Sequence, residues 1–339
     1  MIKQTTGTDR RAFLQSLLLT GAAAGLAGSV GTRAFAAEPK SPSQLHGLYP
    51  IAFTPVGTDD KVDMDGLAAQ VKFCQRGRVH GIAWPQIASG WSVLSKAERL
   101  EGAEVMLSAA KGGKTKVLIG VQSPEWSEVE TYARHADQHG ADAIICIPPA
   151  AITDEGELLK YYQRVGALTP RPLMIQAVGS MSIDLLVKIF ETVPTARSVK
   201  DESGEPIDRV EELVRRTNGD MSVFSGRGVA TMITEMERGF LGHCPYVSLS
   251  DIYAEAYDLW HAGKKEDAYV RFGAIQAANT IFSQSTPDVL IARGVFKPGT
   301  RTRSNAPQAQ GANTRRMPAN NPEEIKRILD TYLKPFLRA

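Results

Sequence analysis

The sequence predicts a (β/α)8 barrel of the TIM-barrel class with additional C-terminal helices, on three observations. From His46 onward, short β-type runs alternate with longer amphipathic stretches, the pattern of a parallel α/β sheet. Eight such runs occur, each followed by a helical stretch, which matches a closed barrel with little left over. No Gly-x-Gly-x-x-Gly follows the first run, which argues against an open doubly wound sheet.

The chain begins with an export pattern. Thr8-Asp9-Arg10-Arg11-Ala12-Phe13-Leu14-Gln15 carries paired arginines, an apolar run rich in Ala and Gly extends from Ser16 to Val30, and Ala34-Phe35-Ala36 places small residues at a cleavage spacing. Residues 1–36 are therefore expected to be a twin-arginine signal, engaged by the twin-arginine translocase and removed after Ala36, with a periplasmic destination. The barrel is expected over 46–262. Its strands are read at Leu48–Phe53, Gly81–Pro85, Lys116–Val121, Ala143–Pro148, Pro172–Gln176, Ser198–Lys200, Met221–Ser225 and Gly242–Tyr246. The amphipathic stretches include Lys96–Ala110, Val129–His139, Leu158–Leu168, Ile183–Glu191, Arg209–Arg216 and Met232–Arg238.

A helical extension is expected over 263–339. Asp251–Ala262 and Lys264–Ser283 read as helices, and 297–322, rich in Arg, Asn, Pro, Gln and Gly, reads as a loop. The last helix, Pro322–Leu337, has Asn321 as N-cap, Pro322 in the first position and Glu323 and Glu324 in the first turn.

Composition narrows the function classes. Apolar residues are 43% and charged residues 22% of the 339, ordinary values for a globular protein with a sizeable core. The formal charge of +2 includes +3 from residues 1–36, so the remainder carries −1 and gives no basic footprint for nucleic acid. Three cysteines, Cys74, Cys146 and Cys244, are too few for a disulfide framework, and the last two sit in apolar runs as buried thiols do.

In a barrel the chemistry collects at the C-terminal ends of the strands. The sixth run ends in Arg197-Ser198-Val199-Lys200-Asp201-Glu202, which points Lys200 into the barrel mouth. Desolvation there favours a neutral amine able to attack a ketone, although a lysine at a strand end also serves as a solvated rim residue.

Several segments resemble the dihydrodipicolinate synthase and N-acetylneuraminate lyase family. They are Gly47-Leu48-Tyr49-Pro50-Ile51-Ala52-Phe53-Thr54-Pro55, Leu94-Ser95-Lys96-Ala97-Glu98-Arg99, Val199-Lys200-Asp201, Phe224-Ser225-Gly226 and Gly239-Phe240-Leu241-Gly242. The resemblance spans about residues 46–290, with order and spacing in agreement. It implies that Lys200 forms an imine with pyruvate or another 2-oxo acid, and that a carbon–carbon bond beside it is made or broken. It further implies a homo-oligomer and no metal or organic cofactor, because the imine itself is the electron sink.

The departures from that family lie in its pocket. Its Gly-Thr-Thr-Gly-Glu loop aligns with Gln86-Ile87-Ala88-Ser89-Gly90, its strand-five tyrosine with Gln176, and its aromatic pair after strand four with Pro149-Ala150. The arginine of the turn after strand five has no equivalent in Val178-Gly179-Ser180-Met181. An amide is neither acid nor base near neutral pH, so the proton relay is vacant or has moved. Candidates to rebuild the pocket are Gln86 and Gln176 as donors to a carboxylate, Ser89 and Ser92 as hydroxyls on the loop after strand two, and Arg227 in Ser225-Gly226-Arg227-Gly228. Each has a plain counterpart: strand-end solvation for the glutamines, helix capping for Ser92, a tight turn around Arg227. Glu202 is a candidate base or a surface carboxylate, and Tyr49 a proton donor or part of the barrel floor.

His135 and His139 share a helix face at i,i+4, a spacing metal sites use. With Gly140 closing the helix and no carboxylate partner evident, the pair reads as imidazoles favoured by the helix dipole.

The expected activity is that of a class I lyase or aldolase acting on a 2-oxo acid, though not of a true dihydrodipicolinate synthase. A non-catalytic exported barrel binding a small carboxylate, or a hydratase or dehydratase using the same imine, are the rival expectations.

Overall fold

The computed structural model describes residues 39–41, 44–226, 229–303 and 321–339. The export segment 1–36, Arg227 and Gly228, and 304–320 lie outside the described residues. Eight parallel strands form the barrel: β1 (Gly47–Leu48), β2 (Gly81–Trp84), β3 (Lys116–Gly120), β4 (Ala143–Cys146), β5 (Leu173–Ala177), β6 (Ala196–Asp201), β7 (Ser222–Ser225) and β8 (Gly242–His243). From β2 to β8 each strand pairs with the next in sequence, and β8 pairs with β1. The ring closes between β1 and β2 beyond the regular ladder, where Ile51 bridges Ala83 and the Ala52 and Ala83 amides donate to Ala83 and Pro50 carbonyls at 3.0 Å.

Two of the expected strands are shorter as regular ladders for a common reason. Pro50 and Pro245 lack an N–H, so continuous pairing stops before them and resumes as single bonds, Ile51 N–H to Pro245 O at 2.8 Å among them.

The helices are α1 (Met64–Arg76), α2 (Lys96–Ala110), α3 (Trp126–Gln138), α4 (Glu155–Gly166), α5 (Ile183–Thr192), α6 (Pro206–Arg216), α7 (Met232–Glu237), α8 (Ser250–His261), α9 (Lys265–Asn279), α10 (Asp288–Ala292) and α11 (Pro322–Ile328). Their starts are written in side chains: Asp63, Asp154, Ser182 and Asn321 each accept an N–H of the following turn. Ser95 and Glu98 form a reciprocal capping box on α2, so Ser95, not Ser92, caps that helix; Ser92 sits in a preceding 3-10 turn.

Helix α1 is absent from the stretches singled out above, because buried Gln70 interrupts its apolar face. The amide of Gln70 bonds both the N–H (2.8 Å) and the carbonyl (3.0 Å) of Phe53, satisfying backbone where the first strand leaves the barrel.

The C-terminal part departs from expectation in three places. Arg301–Arg303, read as loop, is a strand antiparallel to Thr54–Val56, with Arg303 opposite Thr54. Helix α9 ends at Asn279 rather than Ser283. The last helix continues past Ile328 only as a π-helical and then a 3-10 turn, Pro335 having no N–H for a regular ladder. Among the described residues no helix is long and apolar enough to cross a membrane.

Side chains from alternating strand positions build two apolar cores. One lies between strands and helices; the other includes Tyr49, Leu118, Ile145, Met174 and Phe224, with Tyr49 and Phe224 edge-to-face at 5.5 Å between centroids. Tyr49 is 1% exposed, so of its two readings the floor of the barrel is the observed one.

Candidate active site

Lys200 and Asp201 show how a strand end sorts its side chains. Successive residues point to opposite faces, so Lys200 reaches the barrel mouth while Asp201 turns outward. There Asp201 accepts from Arg209 Nε of α6 at 2.9 Å and from Ser203 N–H at 3.0 Å. Burial raises the Asp201 carboxyl above its ordinary range, with Arg209 opposing. This outward anchor holds the end of β6 in place.

Lys200 is 5% exposed and lines a cavity of about 590 Å³. Its Nζ lies 3.4 Å from Glu202 Oε1, and Glu202 Oε2 accepts from Gln176 Nε2 at 2.5 Å. The register of β5 on β6 sets Gln176 directly beside Lys200. Room for Glu202 comes from Gly226: a Cβ there would stand 2.5 Å from the Glu202 side chain.

Four amide side chains line the same cavity and share one feature. Gln86 Nε2 donates to Pro85 O at 2.8 Å, and Gln176 Nε2 is taken by Glu202. Asn279 Nδ2 and Gln284 Nε2 both meet the Tyr253 hydroxyl, at 3.2 and 2.9 Å. Each of the four keeps a buried carbonyl oxygen without a partner. Gln86 and Gln176, expected as donors to a carboxylate, already spend an N–H on Pro85 O and on Glu202, while their carbonyl oxygens stay open as acceptors.

Ser89 does not reach the cavity. Its hydroxyl donates to Ala52 O at 2.6 Å and accepts from Gln86 N–H at 3.0 Å, so it holds the loop that presents Gln86 and is withdrawn as a substrate contact. Ser92 is exposed and away from the cavity lining. Arg227 lies outside the described residues; its neighbours Gly226 and Val229 line the cavity.

The mouth also holds residues that the sequence reading did not select. Tyr246, at the end of the eighth predicted strand, lines the cavity with its ring stacked on Phe53 at 5.7 Å. The strand-end rule pointed to it. Asn279, Ser283, Gln284 and Ser285 arrive from the end of α9, and only tertiary folding brings them there. Cys244 lines the cavity too, but burial pushes its thiol up to about 12 against the opposing pull of Lys200, leaving it protonated and inert at neutral pH.

The sequence profile described as "Dihydrodipicolinate synthetase family" matches residues 44–289. A 4-hydroxy-tetrahydrodipicolinate synthase of Methanosarcina acetivorans is 28% identical over 195 residues, which cover 56% of this chain and 65% of that protein, just under two thirds of its length. Among solved structures, the Ruminococcus gnavus sialic acid aldolase superposes with TM-score 0.71 at 17% identity, covering 86% of this chain and 99% of that one. A prophage protein of the dihydrodipicolinic acid synthase family from E. coli K12, solved in complex with pyruvate, superposes at 0.69 with 17% identity, covering 85% and 98%. At such identities the structures speak for the shared barrel, and the profile spans well over half the chain. The chain belongs to the dihydrodipicolinate synthetase family.

Proposed function

We propose that this protein is a Schiff-base lyase or aldolase acting on a hydroxylated 2-oxo acid. The observation that carries the reading is the buried Lys200 in a 590 Å³ mouth cavity, with the Glu202 carboxylate 3.4 Å from its nitrogen. The neutral amine adds to the C2 carbonyl, and loss of water gives the imine. Protonated, the imine draws the electron pair of the C3–C4 bond as that bond breaks, giving an enamine. The proton of the C4 hydroxyl goes to a base, and the released fragment leaves as an aldehyde. Protonation of the enamine at C3 and hydrolysis then return the shortened 2-oxo acid and free Lys200. In this reading Glu202, bonded to Gln176 and 3.4 Å from Lys200, holds and returns these protons, and Tyr246 of the lining is a second candidate for the same work.

The unpartnered amide oxygens favour the hydroxylated substrate. Gln86, Gln176, Asn279 and Gln284 each need a donor, and several hydroxyl or N–H groups on the substrate chain would supply them. The lining also argues against dihydrodipicolinate synthase activity, since Ala88 and Gln176 align with positions where the family carries a hydroxyl and a tyrosine. A signal-less version is therefore expected not to rescue a diaminopimelate-requiring strain, and robust growth would overturn that exclusion. The paired Arg10-Arg11 supports periplasmic export; an Arg10→Lys/Arg11→Lys variant is expected to stay in the cytoplasm, and its normal export would refute this route.

Reductive trapping tests the chemistry. Borohydride with a hydroxylated 2-oxo acid is expected to add mass to the Lys200 peptide, with Lys200→Ala abolishing it. If no 2-oxo acid of a broad panel labels that peptide, the Schiff-base reading fails.

A further inference from the structure

The structure assigns a divalent-cation site on the outer face of the barrel, made by Glu104 of α2 with His135 and His139 of α3. In sequence the two histidines stand alone at i,i+4, and the carboxylate that would complete a site is missing. The fold supplies it from the neighbouring helix. Glu104 Oε1 lies 2.9 Å from His135 Nε2 and 3.8 Å from His139 Nε2, and the three ligand atoms fall within 4.8 Å of one another. The imidazoles stack at 4.2 Å between centroids with planes 27° apart, and both present Nε2 to the same Glu104 oxygen.

The spacing suits a late first-row cation. Ligand bonds of about 2.0–2.1 Å in tetrahedral geometry set donor atoms about 3.3 Å apart, between the two observed N···O distances, so small rotamer shifts would complete the geometry. Two imidazoles and one carboxylate make a donor set for Zn2+ or its neighbours; Mg2+ and Ca2+ require oxygen-dominated shells. Three protein ligands leave at least one position for water, and the hollow beside Glu104 and His139, about 330 Å³, opens to solvent to admit it.

The ligands stand on well-fixed backbone. His135 is in the last turn of α3 and His139 is its C-cap, with Gly140 at φ 80° closing the helix behind it. Glu104 sits mid-helix in α2, hydrogen-bonded to His135 at 2.9 Å. Lys111 also rims the hollow, a positive charge that the Glu104 carboxylate offsets. A bound ion would cross-link α2 to α3 and stabilise the folded chain by mass action. None of the three ligands lines the mouth cavity, so this site stands or falls separately from the Lys200 chemistry.

The test uses the full chain, free of any polyhistidine tag and stripped with chelator. Titration with cobalt(II) chloride is expected to give saturable visible absorption at one equivalent, displaced by Zn2+ but not by Mg2+, and Zn2+ is expected to raise the melting temperature. His139→Ala, at an exposed side chain that leaves folding unthreatened, should lose both responses, as should Glu104→Gln, while borohydride labelling of Lys200 is unchanged. No saturable binding of cobalt(II) or Zn2+ by the folded chain would overturn the proposal. So would binding that persists undiminished in both variants.

Discussion

Two charge pairs in this molecule are built to opposite standards, one half-buried at the mouth and one fully buried at the C-terminal clamp. At the mouth, Lys200 and Glu202 are 3.4 Å apart, Glu202 leans on Gln176, and four neighbouring amide oxygens have no partner. At the C-terminal clamp, Arg293 grips both oxygens of Asp251 at 2.7 Å, and its two terminal nitrogens also donate to Ser248 O and Ala339 O. The Arg338 N–H adds a third bond to Asp251, and the Arg293 guanidinium lies 4.5 Å over the Phe73 ring. A buried group left short of partners is a cost to the fold that persists where a ligand is to supply the missing bonds. A buried charge with nearly every bond filled holds elements together. The clamp ties α8, α10 and the chain's end to one another; the mouth leaves acceptors open, as the proposed substrate binding requires.

The sharpest way to break that distinction is at the two cations. Lys200→Ala is expected to lose all turnover and all borohydride labelling while the urea midpoint stays close to that of the parent. Measurable turnover in that variant would remove Lys200 from the chemistry. Arg293→Ala should do the reverse, leaving Asp251 buried and unpaired at a cost of about 3–5 kcal/mol in chemical denaturation, with activity per folded molecule little changed. If Arg293→Ala is silent in stability, the clamp is not what holds the C-terminal helices.

Glu202→Gln sharpens the comparison on the mouth side. It keeps the shape and removes the proton acceptor, so turnover is expected to fall by about 10²–10⁴ with the urea midpoint unmoved. Gly226→Ala should reproduce part of that loss by pushing Glu202 away from Lys200, which steady-state kinetics would register. Ser89→Ala is a smaller effect of mixed kind: loss of its two buried bonds should cost about 1–3 kcal/mol. Its consequence for activity should arrive through the loop carrying Gln86. A change in substrate affinity without any loss of stability would return Ser89 to the role of a substrate contact.

The last expected effect is a pH slope in the clamp's own helix, read only as pH is lowered. His261 of α8, packed on Tyr257 at 4.2 Å between centroids, is lowered by burial, and further by His243, to about 4 from an ordinary 6.5. The unfolded chain therefore binds this proton first. The neutral imidazole contributes stability that is full above about 6.5 and is lost as pH falls through about 4. His261→Gln should flatten the fall of the urea midpoint between pH 6.5 and 4, and an unchanged slope would place that titration elsewhere.

Much of the barrel is legible along the chain because its signals are local. A parallel strand buried on both faces is a short apolar run wherever it occurs, as Ile144-Ile145-Cys146 shows, and Asn321 with Pro322 marks a helix start by itself. Helix α1 was harder, since Gln70 reads as polar until the Phe53 backbone it satisfies is known. Lys200 could be singled out because a strand end and a family motif coincide there. The glutamines are legible as mouth positions, but which end of each amide is open is not: that depends on which end neighbouring groups have taken.

What the chain determined alone was therefore periodicity, caps and the place of Lys200, each decided by residues within a few positions of one another. Tertiary structure decided what depends on groups far apart in sequence. It set Glu202 against Lys200 through the space at Gly226, and it brought Asn279 and Gln284 to the mouth. It turned Ser89 inward to Ala52, and it delivered Glu104 to a pair of histidines 31 and 35 residues further on. Hydrogen bonds and ligand sites need atoms within about 3 Å of each other in space, a condition that spacing along the chain meets only inside a single turn of helix or strand pair.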